Sequence, residues 1–318
     1  GYNPYGIIEP VDNQGNLSEI AAWDTDWKGA ILNNSAYKKQ HGLSISGGTD
    51  KTTFYLGSNY LKEQGQVKST YFDRFATRLN VNTEVNDYIS SGLNFSYTTS
   101  KQNAPNQSGT SFSNSIQWIY VIPSYYPIYK RGSDGTLFND SNGFPEFDYG
   151  NNTTQTVNGV RPALSNENGL GVLINNEILN SRTYISMNGY LEFKLLPELN
   201  LKTNILYEKA SLDNFQYTHN KYGAASSVQG RVSQDRDFFT TLNLIQTLSY
   251  KKTFGAHSIN ADGIFESYRF EQNLMEAQGT GYLPNVKVLN GSTVPESVGG
   301  AINEERLLSA ITRVSYNY

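Results

Sequence analysis

The chain has 318 residues, a formal charge of −4 and no cysteine. That length fits one large domain or two ordinary ones, and the missing thiols exclude disulfides and thiolate metal sites. The charge is too mild to point to nucleic acid or to an anionic surface.

Hydrophobic content of 37% and a mean hydropathy of −0.51 would suit a water-soluble protein. A barrel strand escapes that inference because only half its side chains meet lipid. The 23 Tyr suit membrane interfaces and sugar-binding surfaces, while 35 Asn and 28 Gly suit turns and polar lumens. No stretch approaches the roughly 20 apolar residues of a spanning helix. Gly1 to Pro10 has neither the basic start nor the apolar core of a signal peptide, so a mature form or a fragment is expected, and a fragment is favoured.

In chain order, residues 1–36 read as an irregular extracellular loop segment ahead of the first complete strand, with Trp23-Asp24-Thr25-Asp26-Trp27 as a compact element. Strands are predicted near 38–48 (Leu43, Ile45 on one face), then through Phe54, Leu56 and Tyr60, then through Phe75, Leu79 and Val81. A fourth carries Ile89, Leu93, Phe95 and Tyr97 against Ser90, Asn94, Ser96 and Thr98. A long loop without strand rhythm covers 101–180. The fifth (near 182–195) alternates Ile185, Met187, Leu191 and Phe193 with Ser186, Asn188, Tyr190 and Glu192. A sixth near 199–212, a seventh near 232–252, an eighth with Ile259 and Phe265, and a ninth with Leu308, Val314 and Tyr316 complete the series.

Connections after odd-numbered strands are tight and those after even-numbered strands are long. That asymmetry predicts a transmembrane antiparallel β-barrel wall with a short-turn rim and an extracellular-loop rim. Nine strands is an odd number, whereas single-chain bacterial barrels are even, so 37–318 is expected to be part of a larger wall. A small closed barrel and a soluble all-β adhesin or scaffold are the alternatives.

Several blocks resemble the SusC/RagA family of TonB-dependent outer-membrane transporters of Bacteroidetes. They are Asp24-Thr25-Asp26-Trp27 with Ala30-Ile31, and His41-Gly42-Leu43-Ser44-Ile45-Ser46-Gly47-Gly48-Thr49. Further on come Thr53-Phe54-Tyr55, Gln64-Gly65, the Phe72 to Asn80 stretch with Arg74, Arg78, Leu79 and Asn80, and the hairpin Tyr190-Leu191-Glu192-Phe193 with Leu195-Leu196-Pro197-Glu198-Leu199. The resemblance implies a barrel of about 22 strands around an N-terminal plug. It also implies a SusD-like surface lipoprotein as partner and drive from TonB-ExbB-ExbD through a plug region not found in this sequence. The implied cargo is an oligosaccharide, with an oligopeptide as the alternative.

The densest aromatic cluster, Trp118, Tyr120, Tyr125, Tyr126 and Tyr129, could stack on sugars or dock peptides, or could pack the long loop's own core. Arg78, Asn80, Asn94, Asn188, Glu192, Lys194 and Asp262 fall on the polar faces and are expected to line a lumen. Asp134, Asn139, Asp140, Asn142 and Asp148 could add acceptors, but Phe138 and Tyr149 stand where a calcium loop needs ligands. No metal, cofactor or catalytic site is expected. His41, His219 and His257 fall in separate places, no nucleophile elbow occurs, and Glu192, Glu208, Asp262 and Glu266 read as lumen charge rather than as a glycosidase dyad.

Overall fold

A computed structural model describes residues 12–16, 24–104, 114–132, 136–151, 160–283 and 286–318. Trp23 and Asp134 lie outside the described residues. Nine antiparallel strands form one sheet in sequence order: β1 Tyr37–Gly48, β2 Thr52–Gln64, β3 Tyr71–Asn86, β4 Ile89–Asn103, β5 Glu177–Leu196, β6 Leu199–Thr218, β7 Arg231–Phe254, β8 His257–Thr280 and β9 Val294–Asn317. Short helices α1 Trp27–Ile31, α2 Ser115–Tyr120 and α3 Gly169–Asn175 stand outside it. Among the described residues β1 and β9 each have one sheet neighbour.

Tight turns join β1 to β2 (49–51), β3 to β4 (87–88), β5 to β6 (197–198) and β7 to β8 (255–256). Gly255 supplies the positive φ of 62° that the last turn requires. The other four connections, 65–70, 104–176, 219–230 and 281–293, all emerge at the opposite rim. Several strands run past the alternation that revealed them. β6 extends to Thr218 rather than 212, and β5 begins at Glu177 rather than 182. In these extensions polar residues such as Asn180, Ser181, Asp213 and Asn214 occupy both faces, so no hydrophobic period marks them.

Register partners share a face, and the faces differ in kind. Ile45, Leu56, Leu79, Phe95, Met187, Tyr207 and Leu242 form one unbroken row of partners across β1 to β7. On β8 and β9 that same row carries Arg269 and Arg306. There the apolar residues begin lower, at Phe265 and Leu308, so the band descends toward the tight turns as strand number rises. Tilted strands cut by a level slab produce such a staircase. Along β7 the band spans Leu242 to Tyr250, within the roughly 9–11 residues a tilted strand needs to cross a bilayer.

The apolar face is bare. Leu43, Leu191, Leu242 and Leu248 are 79%, 45%, 44% and 44% exposed. With one sheet there is no second layer among the described residues to cover them, as a soluble two-sheet all-β body would require. Every buried strand residue, including Leu61, Asn103, Tyr217, Val232 and Thr280, lies at the long-loop end. The side-chain core therefore sits in the loop layer, and the wall itself is held by its hydrogen-bond ladders.

Candidate functional site: the loop layer and the polar face

The described parts of the 104–176 connection pack around an apolar nucleus shared with α1 and the β2–β3 connection. Asn114 caps α2 by accepting from the Ile116 N–H at 3.0 Å, and the helix turns Trp118 into a cluster with Trp27, Ile31, Val67, Tyr126, Leu170 and Leu173. The Trp27 and Trp118 ring centroids are 4.7 Å apart. Asn168 caps α3 by accepting from the Gly171 N–H at 2.8 Å, while its amide donates to the Ile128 and Asp148 carbonyls at 2.9 and 2.8 Å.

Inside this layer lies a wholly buried ion pair. Arg161 Nη2 stands 3.4 Å from Asp148 Oδ2 and also donates to the Asp148 carbonyl; both side chains are fully covered. The guanidinium lies over the Tyr126 ring at 4.9 Å and the Trp118 ring at 5.7 Å, so aromatic faces replace part of its hydration. Asp148, read from sequence as a candidate acceptor for solute, is thus spent internally. Asp140 likewise accepts from the Asn142 and Phe144 N–H groups at 2.8 and 2.9 Å, which hold its carboxyl below the usual carboxylate range and close a small turn.

The five aromatic candidates divide. Trp118 and Tyr126 are buried in the loop nucleus, which accounts for them by packing. Tyr129 packs on Phe147 with centroids 5.2 Å apart. Tyr120 and Tyr125 are 82% and 43% exposed and present their rings outward. Tyr120 borders a hollow of about 480 Å³ with Lys28, Gln66, Thr70, Ile116 and Ile119, which combines an aromatic face with hydrogen-bonding groups.

A second joint ties the loops together. Tyr149 of the β4–β5 connection stacks on Tyr222 of the β6–β7 connection (4.7 Å, 3°), and Tyr222 stacks on His219 (5.3 Å, 6°). Burial pushes the Tyr149 hydroxyl pKa up. It lowers that of His219, helped by Lys221 and Lys287. Burial also raises the Glu167 carboxyl to about 6, and its Oε2 has no hydrogen-bond partner among the described residues. This stack was not legible in the sequence, since its rings come from connections more than 60 residues apart.

On the polar face, Asn80, Asn94 and Asn188 are consecutive register partners, and Arg78, Ser96, Ser186 and Glu208 form the adjacent row. Glu192, Lys194 and Asp262 share this face; Glu192 stands 4.0 Å from Lys202, and Asp262 accepts from Ser249 at 2.8 Å. Residues missed from sequence join Arg78 in giving the face its relief. Tyr55, Tyr184, Gly42, Gly57 and Ala76 line, with Arg78, a hollow of about 570 Å³, and Tyr184 donates to Glu208 at 2.5 Å. Toward β9 the face turns partly apolar through Leu307, Ile311 and a Phe239–Phe270 pair at 6.4 Å. Glu192, Glu208, Asp262 and Glu266 are never register partners of one another. His41 lies on β1 and His219 in the ring stack, while His257 meets the Tyr316 hydroxyl at 2.5 Å beside the β7–β8 turn.

No family model matches the chain. Among curated proteins it is similar to TonB-dependent receptor P3 of Formosa agariphila, 23% identical over 305 residues, covering 93% of this chain and 28% of the relative. It is also similar to TonB-dependent receptor SusC of Bacteroides thetaiotaomicron, 23% identical over 314 residues, covering 94% and 29%. Among solved structures, the RagAB peptide transporter shares the fold with a TM-score of 0.65 at 17% identity, over 97% of this chain and 32% of that one. The chain thus spans less than a third of the length of the relatives it matches.

Proposed function

We infer that this chain, SusC/RagA-like and similar to TonB-dependent receptors along nearly its whole length, serves as barrel wall in an outer-membrane importer. The observation that carries the reading is the continuous, uncovered apolar band opposite a polar face. In a bilayer that band meets acyl chains, and the polar rows line a water-filled bore. The lopsided rims orient the wall, with the loop layer on the outside. Import would draw on TonB-ExbB-ExbD acting through a plug, and a SusD-like lipoprotein would close over the loops.

The cargo we favour is an oligosaccharide. Exposed Tyr120 and Tyr125 offer stacking faces, and the Tyr, Asn and Ser of the polar face offer neutral hydrogen bonds of the kind sugar hydroxyls accept and donate. A peptide is the second reading, favoured by the fold shared with the RagAB peptide transporter.

The test uses the full-length protein purified in detergent, with glycan and peptide libraries as probes. Glycan binding that falls about tenfold or more in a Tyr120→Ala/Tyr125→Ala variant supports the first cargo, given stacking energies near 1 kcal/mol per ring. Peptide-only binding selects the second. Quantitative release from cells without detergent would overturn the importer itself.

A further inference from the structure

A charged collar sits on the apolar face just beyond the band, toward the long loops. It comprises Lys39 on β1, Lys62 on β2, Lys101 on β4 and Lys209 on β6, then Arg236, Arg269 and Arg306 on β7 to β9. All seven side chains are exposed. Their partners differ by side of the sheet. Arg236 pairs with Asp213 at 3.0 Å, Arg269 with Glu271 at 2.9 Å and Glu304 at 3.3 Å, and Arg306 with Glu304 at 2.8 Å. Lys39, Lys62, Lys101 and Lys209 make no ion pair among the described residues.

The register sharpens the contrast. Lys39 and Lys62 are direct partners, Lys62 faces Asp73, and Asp73 faces Lys101, all in one row. Two like charges directly opposite each other on a sheet are unfavourable unless something negative stands between or above them. Asp73 is the single carboxylate on this face of β1 to β4, so three lysines share it. One step below lie Tyr60 and Phe75, which are also register partners. Long lysine stems can lie along such rings and lift their ammonium groups to the level where acyl chains give way to headgroups.

We propose that Lys39, Lys62 and Lys101 hold the phosphate of an anionic lipid headgroup in the leaflet that surrounds the long-loop end of the band. The assignment rests on the reading that this face meets lipid. Its chemistry is charge complementarity at a fixed depth: three ammonium groups on β1, β2 and β4, with the one carboxylate of Asp73 among them and the Tyr37 ring 4.6 Å from Lys39, leave a net positive charge at the edge of an oily belt. The arginines of β7 to β9 stand at a comparable position but are already neutralised by their own carboxylates. The overall charge of −4 conceals this local excess.

The experiment places the full-length protein in mixed phosphatidylglycerol–phosphatidylcholine vesicles, extracts it in mild detergent, and measures retained lipid by native mass spectrometry. The expected result is enrichment of phosphatidylglycerol, falling about fivefold for each lysine removed in a Lys39→Gln/Lys62→Gln/Lys101→Gln series. The corresponding Lys→Arg variant should restore it, and Arg236→Gln should leave it unchanged. Enrichment indifferent to the three lysines, or absent from every variant, overturns the proposal. So does stabilisation of the micellar protein by inorganic phosphate with the same lysine dependence, which would mark a free-anion site. Failure of the wall reading is seen separately, because the protein would then leave the cells without detergent.

Discussion

The wall and the loop layer are held together in opposite ways. In the wall, β1 to β9 are joined by ladder after ladder of backbone hydrogen bonds, and inside the apolar band no side chain is buried. In the loop layer the backbone is irregular, and a buried nucleus of Trp27, Trp118 and Tyr126 around the Arg161–Asp148 pair supplies the cohesion. The wall leaves its apolar surface for an external solvent to cover, whereas the loop layer covers its own. The same residue types, Leu, Tyr and Arg, therefore carry different consequences in the two regions.

The largest expected effect belongs to the loop layer. Arg161→Ala strands the buried Asp148 carboxylate and should cost about 3–5 kcal/mol of local stability. Hydrogen exchange should show faster opening at 114–132 and 160–176 while the β5 to β8 ladders keep their protection. Loss of protection in both regions together would show that the two are not independent.

Next comes a charge in the band. Leu191→Arg, on a side chain already 45% exposed, should cost about 2–4 kcal/mol in refolding titrations into lipid vesicles. The neighbouring polar-face change Asn188→Asp should cost less than about 0.5 kcal/mol. An exposed leucine on a water-soluble sheet would accept arginine at no such cost, so this pair of substitutions separates the two environments.

The smallest effect is a pH dependence confined to the loops. Glu167 has its folded pKa raised to about 6 from 4.5, so its contribution is fully present below pH 4.5 and is lost as pH rises through 6. Glu167→Gln should flatten that dependence and raise loop-layer stability at pH 7 by about 1 kcal/mol, allowing for partial solvent screening. His219 acts in the other sense. Its lowered pKa gives stability present above pH 6.5 that is lost as pH falls through the folded value. Limited proteolysis across pH 4–8 would read both.

Much of the wall was legible in sequence because a strand writes its two environments in alternate letters, as at Ile185 to Phe193. Turn chemistry such as Pro197-Glu198 and the unequal loops supplied the rims. What stayed hidden depends on register between strands. The row of Lys39, Lys62, Asp73 and Lys101, and the hollow beneath Tyr55 and Tyr184, assemble only when the hairpins are laid side by side. The aromatic run 118–129 announced an apolar cluster, but the burial of Trp118 and exposure of Tyr120 follow from helix phase, which two residues suffice to reverse. Leu307 and Ile311 were missed because a second apolar set on β9 breaks the alternation on which the reading relied.

The most direct measurement of the central claim is spin-label accessibility at two adjacent β7 positions, Thr241→Cys and Leu242→Cys, in the full-length protein reconstituted in bilayers. A label at 242 should collide with lipid-soluble oxygen and resist a water-soluble nickel reagent, and a label at 241 should do the reverse or be shielded from oxygen. Equal water access at both positions would contradict a wall with lipid on one side and an aqueous bore on the other.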